Sequence, residues 1–149
     1  MRFERLQDWL SWQQTLHSQK IELGLNRIAE VADTLGISQP NYLVITVAGT
    51  NGKGSIAAVL ESICHQAGYC VGSYTSPHLL HYSERIRVKQ KNINDEKLCK
   101  AFDLIDRARG KTSLSYFEFG TLAAMQIFND VKLDVAIYEV GLGGRLDAV

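Results

Sequence analysis

Residues 47–55, Val47-Ala48-Gly49-Thr50-Asn51-Gly52-Lys53-Gly54-Ser55, decide the fold of this chain. They follow a β-branched apolar run at residues 42–47, which is typical of a strand buried on both faces. A helical pattern comes next and reaches about Ala67. Glycines in such a loop let several backbone N–H groups approach one anion, and the dipole of the following helix favours that anion. The sequence therefore predicts a phosphate-binding loop between a strand and a helix.

Lys53 supplies a positive charge for the β- and γ-phosphates of a nucleotide bound at this loop. The stretch departs from the usual P-loop pattern at two positions. Val47 stands where that pattern has Gly, and Gly54 stands where it has Ser or Thr. The alternative is a glycine-rich turn that serves only packing. Because Gly54 has no hydroxyl group for Mg²⁺, metal ligands have to come from elsewhere in the chain.

Two oxygen-bearing residues follow predicted strands and are candidate Mg²⁺ ligands. Glu139 closes an apolar strand at residues 133–140, and Ser76 comes just after a strand at residues 69–74. Ligands of parallel sheets gather at the carboxyl ends of the strands, and Mg²⁺ needs only one or two oxygen ligands from protein. The alternatives are a solvated strand end for Glu139 and a simple turn residue before Pro77 for Ser76.

The remaining chain alternates strands with helices. Residues 1–40 read as an N-terminal helical segment that packs on the domain, and residues 41–149 carry the alternating pattern. This order predicts an α/β fold that contains a P-loop, with a mostly parallel sheet and helices on both faces. Within it, residues 84–88 alternate like a solvated strand. Arg85 and Arg87 could meet an anionic substrate there, but the alternation favours an exposed strand face.

Composition excludes several classes of protein. Of 149 residues, 46% are hydrophobic and 21% charged, and 16 basic residues balance 16 acidic ones. The net charge of zero argues against a nucleic-acid or membrane-surface binder, and no apolar run approaches the roughly 20 residues that cross a bilayer. Cys64, Cys70 and Cys99 lack CxxC spacing, which is typical of reduced thiols. We therefore expect a cytoplasmic protein without nucleic-acid or membrane partners.

Several short motifs occur together in one order along the chain. Besides residues 46–55, they are Lys20-Ile21-Glu22-Leu23-Gly24-Leu25, Ser76-Pro77-His78-Leu79, Glu84-Arg85-Ile86-Arg87-Val88, Ser115-Tyr116-Phe117-Glu118 and Glu139-Val140-Gly141-Leu142-Gly143-Gly144-Arg145-Leu146-Asp147-Ala148. In this order and spacing they resemble the folylpolyglutamate synthase/dihydrofolate synthase family, and most of all its bacterial bifunctional branch. The resemblance implies a fold like the central domain of the Mur peptide ligases.

The resemblance also implies an ATP-dependent amide ligase that uses Mg²⁺. In that family ATP phosphorylates a carboxylate of dihydropteroate or of a folate, and the amine of L-glutamate attacks the acyl phosphate. By matching positions, Lys53 is the catalytic residue, and Ser76 and Glu139 are the metal ligands. The ATP-binding residues are Gly49, Thr50, Asn51, Gly52, Lys53, Gly54 and Ser55. The substrate-binding residues are Glu22, Leu23, Gly24, Ser115, Tyr116, Phe117, Glu118, Leu146, Asp147 and Ala148.

Tyr116 and Phe117 offer flat aromatic surface to a planar heterocycle. The alternative is that these two side chains are core residues at the start of a helix. The four histidines of the chain have no metal-ligand spacing.

Members of the family are far longer than this chain. The resemblance therefore implies that residues 41–149 are an ATP-binding domain incomplete at its C-terminus, that the C-terminal domain is absent, and that the full-length protein is a monomer. We expect no ligase turnover from these 149 residues alone, because the substrates are not assembled in one closed site. The last strand, ending at Val140, is expected to lack a neighbour and to leave an exposed sheet edge.

Two alternatives to the ligase stay open on the sequence. One is a non-catalytic remnant of that enzyme which binds a nucleotide or a pterin. The other is a different P-loop enzyme such as a small-molecule kinase. Gly54 and the motifs that begin at Ser76 and Glu139 argue against the kinase.

Overall fold

A computed structural model describes residues 1–16 and 24–149 of the chain. The helices are α1 (Leu6–Leu16), α2 (Asn26–Leu35), α3 (Lys53–Gln66), α4 (Asp95–Arg109) and α5 (Tyr116–Val131). The strands are β1 (Leu43–Val47), β2 (Val71–Tyr74), β3 (Ile86–Val88), β4 (Lys91–Asn92) and β5 (Val135–Glu139), and a short 3₁₀ helix covers Tyr82–Arg85.

The five strands form one sheet in the order β1-β5-β2-β3-β4. β5 lies parallel to both β1 and β2, whereas β3 and β4 are added as an antiparallel hairpin. The turn of that hairpin places Lys89 and Gln90 at positive φ. The predicted α/β fold with a mostly parallel sheet is confirmed.

Helices cover both faces of the sheet, as the sequence predicts. Along β5, Val135 and Ile137 pack with Ala57 of α3 on one face, while Ala136 and Tyr138 join the larger core on the other. Successive side chains of a strand point to opposite faces, so β5 is buried from both sides. The larger core includes α1, α2, α4 and α5. Trp9 of α1 is fully buried in it.

Helix ends follow the local sequence signals. Gly36 ends α2 at φ 71°, a left-handed conformation that glycine adopts without a steric cost. Asn94 caps α4 and Ser115 caps α5, each accepting a hydrogen bond from the backbone N–H three residues later. The helical pattern expected to reach about Ala67 ends at Gln66.

The predicted position of the sheet edge is wrong. β5 has a neighbour on each side, and β1 is the edge strand. The prediction that β1 is buried on both faces is also wrong, because Leu43 is 62% exposed and Val44 42%. An apolar run indicates a strand, but the place of that strand in the sheet depends on pairing with distant residues.

The prediction of a solvated strand at residues 84–88 is half right. Ile86–Val88 is a strand, but Arg85 belongs to the 3₁₀ helix that precedes it. Arg85 is 9% exposed, so its assignment to a solvated face is wrong. Arg87 is partly buried and forms an ion pair with Glu61 of α3 at 3.2 Å. The Glu61 carboxylate on α3 holds Arg87 against the sheet, and no local sequence pattern reveals this contact.

The division of the chain at residue 40 stays a prediction.

Cys64, Cys70 and Cys99 are free thiols. None of the helices in residues 1–16 and 24–149 is long and apolar enough to span a membrane.

Candidate nucleotide and acceptor site

The loop at residues 48–52 connects β1 to α3 at the carboxyl edge of the sheet. Gly52 has φ 76° and immediately precedes α3, whose N-terminus has no side-chain cap. The first N–H groups of the helix are therefore not occupied by a capping side chain. Lys53 opens the helix, and its Nζ donates a hydrogen bond to the carbonyl oxygen of Gly49 at 2.9 Å. The lysine ammonium thus lies over the loop, as a phosphate-binding arrangement requires.

Glu139, at the carboxyl end of β5, lies close to both Ser76 and Gly54. Its Oε2 accepts a hydrogen bond from the backbone N–H of Ser76 at 3.0 Å. Its Oε1 lies 3.8 Å from the position that a Cβ atom on Gly54 would take. The carboxylate is thus placed between the phosphate-binding helix and the segment after β2.

The donors near Glu139 suit a hard divalent cation. A carboxylate and a hydroxyl group offer the oxygen ligands that Mg²⁺ prefers, and Mg²⁺ takes its other ligands from water and phosphate. Within the described ranges, 1–16 and 24–149, no three His, Cys, Asp or Glu side chains cluster as a metal cage. The residues present fit a metal ion that is bound together with a nucleotide.

A cavity of about 300 Å³ opens beside this carboxylate. Gly54, Ser76 and Glu139 line it, together with the Glu61–Arg87 ion pair. We call it the phosphate-side cavity.

A second cavity, of about 390 Å³, collects most of the predicted substrate-binding residues. We call it the acceptor cavity. Glu22 and Leu23 were also predicted and lie outside the described residues. The cavity is lined by Gly24, Ser76, Pro77, Arg85, Ser115, Tyr116, Phe117, Glu118, Gly141, Leu142, Leu146, Asp147 and Ala148.

Ser115 and Glu118 are held by the start of α5. The Ser115 backbone N–H donates to Glu118 Oε2 at 2.7 Å, and the Glu118 backbone N–H donates to Ser115 Oγ at 3.2 Å. This reciprocal capping box satisfies two N–H groups at the helix terminus. Arg27 of α2 forms an ion pair with Glu118 at 3.2 Å. Ser115 and Glu118 are therefore held firmly in the wall of the acceptor cavity.

Asp147 organises the loop that follows β5. Its Oδ2 accepts from the Leu142 N–H at 2.7 Å, and its Oδ1 accepts from the Val149 N–H at 3.1 Å. Asp147 is buried, so these bonds are shielded from water. Across the cavity, the ring of Phe117 packs on Gly141, where an added Cβ would lie 2.7 Å from the ring. The glycine is required for this close approach of loop and ring.

Arg85, which the sequence interpretation considered as a contact to an anionic substrate but assigned to an exposed strand face, lines the acceptor cavity. The guanidinium of Arg85 lies 5.3 Å from the Tyr82 ring centroid and 5.6 Å from that of Tyr116. Its Nε donates a hydrogen bond to His78 Nδ1 at 2.8 Å. The sequence signal for this burial is Tyr82, which is close to Arg85 along the chain. Tyr116 is distant in sequence, and only the fold brings it next to the arginine.

Burial shifts the pKa of several groups around Arg85. Desolvation, together with the nearby Arg85 charge, lowers the pKa of His78 below its usual value. Desolvation raises the pKa of Tyr74 to about 12, although Arg85 opposes this shift. Glu84 accepts backbone hydrogen bonds from Leu79, Leu80 and His81, which lower its pKa. Glu84 thereby fixes the segment that carries His78.

A glycine loop with a lysine after the first strand, and an acidic residue at the end of the neighbouring strand, are the features of a P-loop-type nucleotide-binding domain. The chain is 52% identical over 143 residues to the dihydrofolate synthase/folylpolyglutamate synthase of Escherichia coli, and 50% identical to that of Haemophilus influenzae. The chain is therefore a homologue of the N-terminal part of the dihydrofolate synthase/folylpolyglutamate synthases.

The alignment covers 96% of this chain but 34% of the E. coli protein and 32% of the H. influenzae protein. The chain thus spans about a third of the length of the curated relatives it matches. No protein-family model matches it.

Solved structures give the same result. E. coli FolC in complex with DHPP and ADP matches with a TM-score of 0.95 at 52% identity, over 97% of this chain and 35% of that one. The bifunctional synthase of Yersinia pestis complexed with AMPPNP and Mn ion matches with a TM-score of 0.93 at 51% identity, with the same coverage.

Proposed function

We propose that this chain carries the nucleotide site and the acceptor site of an ATP-dependent amide ligase. The ligase adds L-glutamate to dihydropteroate or to a folate by way of an acyl phosphate. Relatives at about 50% identity are named for these two synthase activities. The similar solved structures hold DHPP and ADP in one case, and Mn, AMPPNP and L-glutamate in another.

The junction of the two cavities is the observation that carries this proposal. Ser76 and Pro77 line both the phosphate-side cavity and the acceptor cavity. The Glu139 carboxylate, 3.0 Å from the Ser76 N–H, lies at that junction. A phosphoryl group moves between two oxygens held in line, so nucleotide and acceptor must meet at one point. The junction provides such a point.

On the nucleotide side, each group has a separate task in the proposed reaction. The loop amides and the N–H groups at the start of α3 bind phosphate oxygens, with Gly49, Thr50, Asn51, Gly52, Gly54 and Ser55 as the contacting residues. Lys53 moves its ammonium from the Gly49 carbonyl to the phosphates and neutralises charge there. Ser76 and Glu139 hold Mg²⁺, which, when bound, reduces repulsion between the anionic phosphate and the acceptor carboxylate.

On the acceptor side, the cavity walls suit a flat heterocycle. Tyr116 and Phe117 present partly exposed rings, and Leu146 and Ala148 add apolar surface from the loop that Asp147 fixes. Ser115, Glu118 and Asp147 have their polar groups largely occupied within the protein, so they contribute by shaping the cavity.

Three further statements belong to the same proposal. The whole protein works as a monomer, residues 41–149 form a nucleotide-binding unit on which residues 1–40 pack, and the protein is cytoplasmic. Three free thiols without a disulfide support a reducing compartment.

Nucleotide binding by the chain tests the proposal. We expect Mg²⁺ and a non-hydrolysable ATP analogue to bind with a calorimetric signal that Lys53→Ala weakens at least about tenfold, because a charge-assisted contact to phosphate is lost. Lys100→Ala is the matched control, since Lys100 lies exposed on α4 and pairs with the exposed Glu96. Equal affinity in all three proteins, or no binding by the unsubstituted chain, would contradict the proposal.

A further inference from the structure

Arg85 is a buried cation. In the part of the chain that the structure describes, no carboxylate ion-pairs with its guanidinium, whereas Arg87, two residues on, pairs with Glu61. Burying an unpaired charge is costly, and a fold retains one where something compensates it. The Tyr82 and Tyr116 rings compensate only partly, through cation–π contacts at 5.3 and 5.6 Å.

His78 fixes the direction in which Arg85 points. The Arg85 Nε–H donates to His78 Nδ1 at 2.8 Å, so this edge of the guanidinium is occupied. His78 acts there as a neutral acceptor, in agreement with the lowering of its pKa by burial and by Arg85 itself. A guanidinium presents five N–H donors in a fixed plane, and those on its terminal nitrogens match the two oxygens of a carboxylate.

The position of Arg85 selects which ligand group it can meet. Arg85 lines the acceptor cavity together with Ser76 and Pro77, and it does not line the phosphate-side cavity. Ser76 and Pro77 are the residues at which the two cavities meet. An anion on Arg85 therefore belongs to the acceptor molecule and lies at the end of the cavity next to the nucleotide.

We propose that Arg85, oriented by His78, binds the carboxylate of the acceptor that becomes phosphorylated. Arg85 is then a binding residue and His78 a positioning residue. This inference rests on the proposed function and deepens it, because it assigns the residue that selects an acidic acceptor. It also gives the Ser76-Pro77-His78 and Glu84-Arg85-Ile86 motifs one shared task, since Glu84 fixes the segment that brings His78 to Arg85.

A comparison of two ligands with and without the charge tests the assignment. The probes are dihydropteroate and its carboxamide, which has the same shape but no charge, and the full chain is titrated with each. We expect the unsubstituted protein to bind the acid about 10- to 100-fold more tightly than the amide, as a charge-assisted hydrogen-bonded pair allows. Arg85→Met should remove this preference and leave the affinity for the amide nearly unchanged.

Arg107→Met is the control for a simple change of net charge, because Arg107 is exposed on α4, where it pairs with Asp103. It should keep the full preference for the acid. If Arg85→Met also keeps that preference, or if the unsubstituted protein binds both ligands equally well, the inference is overturned while the proposed function stands. If the unsubstituted protein binds neither ligand, both fail.

A measurement without a substitution guards against an unstable variant. The Nε–H resonance of Arg85 can be followed in protein labelled with [¹⁵N]arginine. We expect the acid to shift this resonance and the amide to leave it within the noise. A shift of equal size with both ligands would overturn the inference, whether or not Arg85→Met folds.

Discussion

The two faces of the sheet are covered very differently. On one face α5 buries Phe119, Leu122 and Phe128 completely, and α1, α2 and α4 pack behind it. On the other face α3 lies alone, with a small core around Ala57, and the structure leaves Ile56, Val59 and Ile63 at least half exposed. Each face serves a different part of the site.

The difference shows what each kind of ligand needs from a fold. The acceptor cavity lies on the heavily packed side, where a capping box and buried aromatic residues hold its walls. The proposed phosphate loop lies at the start of the thinly packed helix, where Gly52 precedes backbone N–H groups that have no side-chain cap. A planar heterocycle requires rigid side-chain surface, whereas a phosphate requires accessible backbone.

The largest expected loss of stability comes from shortening a core side chain on the heavily packed side. Phe119 is fully buried and meets Trp12 and Phe102 edge to face at ring distances of 6.0 and 5.9 Å. Phe119→Ala should lower the free energy of unfolding by about 3–5 kcal/mol, because it removes buried surface and leaves a cavity. Urea-induced unfolding measures this loss. A loss below about 1 kcal/mol would show that this core is much less tightly packed than described.

Alkaline pH gives a smaller effect on the same side. Burial raises the pKa of Tyr74 to about 12, against about 10 in the unfolded chain. Above pH 10 the unfolded chain therefore loses a proton that the folded protein keeps, so stability is complete below pH 10 and falls as the pH rises towards 12. At pH 12, the raised pKa of Tyr74 accounts for a loss of about 2–3 kcal/mol in the free energy of unfolding.

Tyr74→Phe should flatten this loss of stability between pH 10 and 12, as followed by thermal unfolding. Tyr69→Phe serves as the comparison, because Tyr69 is 52% exposed. Parallel pH curves for the two variants would mean that Tyr74 ionises freely in the folded protein.

The smallest expected change in stability comes from a substitution on the thinly packed side. Val59 is 58% exposed on α3, so Val59→Ser should change the free energy of unfolding by no more than about 0.5 kcal/mol. Ala57→Ser, two residues earlier on α3 and 1% exposed, is the buried counterpart and should cost more. Equal costs at the two positions would indicate that the exposed face of α3 is covered in solution.

Local signals predicted most of the elements because each depends on a few neighbouring residues. Gly36, Asn94 and Ser115 stand where helices begin or end, and the run before Gly49 is a strand. The places of β1 and β5 in the sheet were predicted wrongly, because β1 is an edge strand and β5 has a neighbour on each side. Strand order depends on pairing between distant residues, such as Leu43 with Val135, and no local pattern contains it.

The candidate site shows the same division. Residue types at strand ends led to Ser76 and Glu139, which the fold brings together. The aromatic pair Tyr116 and Phe117 does line a cavity. The burial of Arg85 could not be predicted, because Tyr82 and Tyr116, which flank its guanidinium, come from separate elements.

The central place of β5 also sets the order of assembly. β1 and β2 are not neighbours in the sheet, and each of them pairs with β5, which comes much later in the chain. Tyr42 and Tyr138, for example, have hydroxyl groups 3.1 Å apart but are separated by 96 residues. Closing so long a loop is slow compared with docking two consecutive helices such as α4 and α5. The same late strand delivers Glu139 to Ser76. During synthesis, the helices of the larger core therefore emerge from the ribosome before β5, and Glu139 reaches Ser76 only once β5 has paired with β2.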